Sequence, residues 1–132
     1  MISFVNGRHG TPDYDFTEES ETALGAFLVG DIQTGGDWLL SMLARLDDVR
    51  AGRSAREDWS GNSWIAEVEP DGLHLHDIYS GDWQGHYPLA DAIEVMLRYW
   101  AFLAANSSEG WQQRRLAEWE ARHSRSHPFH AL

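Results

Sequence analysis

Three histidines are the residues of this sequence best spaced for chemistry. His74 and His76 stand two apart in the run Gly72-Leu73-His74-Leu75-His76-Asp77, and His86 follows in the next short apolar-polar run. Residues two apart in a strand project from one face, so His86 on a neighbouring strand can join them. Three imidazoles, assisted by Asp77 or Glu67, would make a metal-binding module or a metal-dependent enzyme with an open coordination position. Solvent-facing strand histidines without any ligand fit the same pattern, and no HExxH spacing fixes two ligands on a helix.

Other chemistry has less to build on. The chain has no cysteine and no lysine, which removes thiolate nucleophiles, disulfides, Cys-based zinc sites and Schiff-base formation. No GxSxG elbow is present. Asp58, Asp77 and Asp82 offer carboxylate pairs, but acids are too frequent here for a pair to be informative. The glycine run Thr34-Gly35-Gly36 precedes a helix without a P-loop lysine, and it puts Asp37 where a phosphate would sit. The expectation is a protein that is not an enzyme and has no cofactor.

Charge is the stronger signal. Acids number 21 against 10 basic residues, all arginine, for a net charge of −11. From Glu57 to Glu94 there are nine acids (Glu57, Asp58, Glu67, Glu69, Asp71, Asp77, Asp82, Asp91 and Glu94) and no lysine or arginine. Such a field repels phosphate, which argues against nucleic acid and anionic membranes, and it steers a basic protein partner. The expected contact set is Asp58, Glu67, Glu69, Asp77 and Asp82 around an aromatic anchor, Trp83, with Trp59 similarly placed beside an acid. Trp38, Trp64 and Trp100 fall on apolar faces and are expected in the core. An acidic scaffold whose charge serves solubility is the competing account.

The elements that must position these groups follow from periodicity. Residues 1–16 read as an irregular or strand-like lead-in. Thr17 is a suitable N-cap before Glu18, Glu19 and Glu21, and Leu24, Phe27 and Leu28 share a face, predicting a helix from about Glu18 to Val29. A second helix, Asp37–Val49, carries Leu39, Met42, Leu43, Leu46 and Val49 and ends before Gly52, so that 17–50 is helical. The period then drops to two. Residues 59–87 predict a β-meander of three strands with turns at Pro70-Asp71-Gly72 and Ser80-Gly81-Asp82. Residues 88–123 are helical again, opening at Pro88 with the stripe Leu89, Ile93, Met96, Leu97, Trp100 and Leu103 and closing with a helix from about Glu109 to His123. Residues 124–132 read as a loose tail. The fold class is α+β: one domain, with a small antiparallel meander packed against several helices. The opening MISFVNGRHGTPDYDF carries no secretory pattern, and no stretch approaches the roughly 18 apolar residues of a membrane span, so the expected setting is cytoplasmic.

Taken together, DYDF, FLVGDIQ, WLLSMLARLDDVRAG, WSGNSWIAEVEPDGLHL and the helix end YWAFL give a chain that resembles the small bacterial immunity proteins of contact-dependent inhibition and related polymorphic toxin systems, in a YacL-like pattern. The resemblance covers about residues 13 to 104. It implies a cytoplasmic inhibitor without catalytic residues that binds a cognate toxin domain, often a nuclease with a basic cleft. The segment beyond Leu103, with Arg114, Arg115, Arg122, His123, Arg125, His127 and His130, departs from the pattern, and the resemblance gives it no role.

Overall fold

The computed structural model describes residues 2–80 and 84–130. It is the expected α+β fold, built from two antiparallel sheets and four α-helices. The lead-in is a hairpin of β1 (Ser3–Asn6) and β2 (Pro12–Asp15). It seats Phe4 against Tyr99 and Phe102, with ring centroids 4.7 and 6.2 Å apart. The main sheet runs β3 (Glu57–Ser60), β4 (Trp64–Glu69), β5 (Gly72–Asp77) and β6 (Gln84–Tyr87) in sequence order. It is therefore a four-stranded meander where three strands were expected. The extra strand is β3, whose single apolar residue, Trp59, left it without a readable alternation.

The first helical stretch is broken into three pieces. A 3₁₀ turn, Glu19–Glu21, leads into α1 (Thr22–Phe27), and a π turn, Leu28–Ile32, follows. Thr17 is not the cap. The Glu21 carboxylate instead reaches back to accept the Thr17 and Glu18 amides at 3.1 and 3.0 Å, which fixes the entry from inside the turn. The π turn closes with the Gln33 amide donating to Leu28 O at 2.8 Å.

Helix α2 (Asp37–Arg50) ends as anticipated. Gly52 takes a φ of 78° and the amides of Gly52 and Arg53 return to Val49 O and Asp48 O, the paired bonds that terminate a helix with a left-handed residue. Helix α3 (Leu89–Ala105) follows Pro88 directly, and α4 (Trp111–His123) completes the set. The core lies between the inner sheet face (Trp64, Ala66, Val68, Leu73 and Leu75) and the apolar stripes of α2 and α3, with Trp100 buried as expected. Trp38 is not core. It is 54% exposed, although Leu39 and Leu40 beside it are fully buried, and its ring rests against Trp59, centroids 5.8 Å apart.

The segment after α4, expected to be loose, is docked through His127. That imidazole is 1% exposed; its Nε2 lies 2.8 Å from Leu40 O and its Nδ1 accepts the Phe129 amide at 3.0 Å. Two of the neighbouring arginines are held as well. Arg125 makes two bonds of 3.0 Å to Asp48, which Arg53 also contacts at 2.9 Å, and Arg122 sits 3.6 Å from Asp37. The hydrogen bond from Arg125 is the main reason the Asp48 carboxyl lies below the usual range. The basic segment thus closes the fold onto α2 and does not form a free cationic patch.

His127 also makes stability depend on pH. Burial pushes its pKa below the ordinary 6.5, and the neutral form uses both ring nitrogens. The unfolded chain binds the proton first as pH falls, so this stability is intact above about pH 6.5 and is lost as pH drops toward the folded value. Urea midpoints at pH 7.5 and 5.5, roughly either side of the ordinary histidine value, should differ in the parent chain. In His127→Gln that difference should shrink.

Candidate functional site

The helices cover one face of the main sheet and leave the other open. Register sets what that face displays. Asp58 pairs with Glu67, Glu67 with His74, and His74 with His86, while Ser60, Ile65, His76 and Gln84 form the adjacent row. Strand alternation puts Trp59, Ala66 and Leu75 on the core side and these polar rows outside. Of the expected contact residues, Asp58, Glu67 and Glu69 therefore share the open face. Asp77 does not join them: its carboxylate accepts the Tyr79 amide at 2.8 Å and the Ser80 hydroxyl at 2.8 Å. Those bonds, the Tyr79 amide foremost, hold its pKa down and commit it to a turn. Asp82 and Trp83 lie outside the described residues.

The acids of this face are not free of cations. Arg56 reaches Glu67 at 2.5 Å and Glu69 at 3.6 Å. Its position two residues before Asp58 places it on the same strand face, a signal present in the sequence just outside the acid-only stretch. His76 lies 3.3 Å from the other oxygen of Glu67. The three histidines do not converge as expected. His74 and His86 stack, centroids 4.1 Å apart at 12°, whereas His76 is one row further along, opposite Gln84. The third member of the group is Asp71 from the β4–β5 turn. Its Oδ1 is 3.1 Å from His74 Nε2 and its Oδ2 is 3.8 Å from His86 Nε2. The His74 hydrogen bond holds the Asp71 carboxyl below its ordinary range.

A groove of about 390 Å³ adjoins the β6 edge of this face. Ile2, Leu24 and Val95 give it an apolar floor, and Glu18, Asp91 and Glu94 stand at its exposed margin. Tyr87 fixes one wall, its hydroxyl donating to Ser20 O at 2.7 Å and accepting the Leu24 amide at 3.1 Å. The groove draws on three distant segments, so no local motif announced it. Such a lining suits a long cationic side chain, whose methylenes lie on the floor while its head meets carboxylate.

Aromatic surface is available on the opposite side of the sheet's β3 edge. Trp59 packs edge-on against Phe27, centroids 5.7 Å apart, and carries the exposed Trp38 on its other side. No helix among the described residues is long and apolar enough to cross a membrane. Compared with protein-family models, curated proteins and solved structures, the chain matches none.

Proposed function

We propose that this chain is a non-enzymatic, cytoplasmic binding protein that neutralises a basic polypeptide, as an immunity protein does its toxin domain. The observation that carries the reading is the open sheet face with Asp58, Glu67 and Glu69, continuous at its β6 edge with the acid-rimmed groove of Glu18, Asp91 and Glu94. Arg56 offsets part of that charge, but the net −11 of the chain leaves the surface strongly attractive to cations. A partner's arginines would exchange water for carboxylates on the open face and insert an aliphatic stem in the groove. Long-range attraction would speed encounter more than it tightens the final complex.

The test takes basic polypeptides encoded next to this chain in its native host as candidate toxin domains, each titrated calorimetrically with the purified full chain and co-expressed with it in a growth assay. A one-to-one complex, protection of growth, and affinity falling by roughly tenfold or more between low and high salt are expected. The triple variant Asp58→Arg, Asp91→Arg and Glu94→Arg changes exposed side chains and should slow association by about an order of magnitude or more. Binding that ignores both salt and charge reversal would remove this surface as the site. Absence of a complex and of growth protection would remove the reading itself.

A further inference from the structure

We propose that Asp71, His74 and His86 form a binding site for a divalent transition-metal ion of the zinc class. The site stands independently of the partner-binding reading. One ligand atom from each residue lies within 4.8 Å of the other two. Four ligands around zinc at about 2.1 Å in a tetrahedron are about 3.4 Å from one another, close to the 3.1 and 3.8 Å that separate the two imidazole Nε2 atoms from the Asp71 oxygens. The stacked imidazoles, 12° from parallel, must turn toward one another for both Nε2 atoms to meet one ion.

The backbone is shaped for this convergence. His74 and His86 occupy directly opposed positions on β5 and β6, and Asp71 reaches them from the two-residue turn that joins β4 to β5. The following residue must be glycine for the group to close. A Cβ on Gly72 would lie 2.6 Å from His86 Nε2 and 2.5 Å from Tyr87 O, and Gly72 has a φ of 148° that side chains rarely adopt. The His86 ring thus occupies the space that any other residue at 72 would fill.

Metal would take the place of the protons now shared in the cluster. In its absence, His74 Nε2 is bonded to the Asp71 carboxylate and His86 Nε2 lies 3.1 Å from Asp71 O. Both nitrogens already lie against Asp71 before any ion arrives, which limits the ordering that binding requires. Two neutral imidazoles and one carboxylate form a borderline donor set that suits zinc, nickel, cobalt or copper over calcium or magnesium. Glu69, 3.9 Å from His74 Nε2, or water completes the coordination. His76 takes no part, being directed at Glu67.

Calorimetric titration of the metal-free full chain with zinc chloride should show one saturable site and a zinc-dependent rise in Tm. Cobalt(II) should give the visible absorption of a four-coordinate ion. His74→Ala and His86→Ala should each weaken binding by at least about tenfold, and Asp71→Asn should weaken it as well. His76→Ala serves as the control and should bind as the parent does. Circular dichroism without metal should be the same for all five proteins, since these side chains stand outside the core. The proposal is overturned if the parent shows no saturable zinc binding, or if His76→Ala weakens binding as much as His74→Ala does.

Discussion

Trp119→Ala is expected to lower stability by about 4 kcal/mol, among the largest losses available to a single substitution in this chain. Trp119 is 2% exposed, and its indole is engaged on every side. The Nε1–H donates to Ser41 Oγ at 3.0 Å, the His123 ring stacks on it at 4.2 Å, and the His127 ring meets it edge-on at 4.5 Å. Truncation removes the filler between α4, α2 and the final segment and leaves Ser41, itself buried, without its donor. Thermal unfolding should register a Tm lower by roughly 15 °C. Trp119→Phe keeps most of the volume but not the Ser41 bond, so its loss should be about 1–2 kcal/mol. Equal losses in the two variants would mean that the hydrogen bond, and not the packing, holds α4 in place.

Asp31→Ala is expected to cost about 3 kcal/mol through a different mechanism. Asp31 is 7% exposed and forms no ion pair among the described residues; its carboxylate accepts the Trp64 amide at 2.9 Å and the Ser63 amide at 3.1 Å. The wide π turn aims it there, and Gly61 makes room, because a Cβ at 61 would overlap the Asp31 carboxylate. Removing the carboxylate leaves the Trp64 amide buried and unpaired at the start of β4. Urea unfolding should show a lower midpoint with little change in slope. Asp31→Asn keeps one acceptor oxygen and should recover part of the loss. An alanine variant with the parent's midpoint would show that water satisfies these amides as well as the side chain does.

The sequence was most legible where one face of an element is wholly apolar. The stripe of α3, apart from the half-buried Leu97, and that of α2 from Leu39 to Val49 are buried as periodicity predicts, and β4 and β5 alternate as read. It misled at the margin of a stripe: Trp38 flanks the buried face of α2 but is 54% exposed and rests on Trp59. It was silent where a polar residue is held by distant partners. Nothing near His127 in sequence indicates Leu40, and nothing near Asp31 indicates the Trp64 amide.

The candidate surface was half legible for a related reason. Period two placed Glu67, Glu69, His74 and His76 on one face, and the structure agrees. Which histidines meet depends on the β5–β6 register, which pairs His74 with His86 and moves His76 out of reach. Register across a hairpin is set jointly by the turn and the core face, so residue types alone could not choose among the three. The acid-rimmed groove, assembled from the first helical turn, β6 and α3, depends on tertiary packing throughout.

The two outer strands of the main sheet bear on how this protein meets copies of itself. Each is only four residues long, and β3 carries Glu57 and Asp58 side by side. Two molecules aligning their β3 strands to build a continuous sheet would bring these carboxylates to within about 5 Å of their counterparts. Like charges at that spacing oppose the pairing, so the sheet is self-limiting and filament growth from this margin is disfavoured.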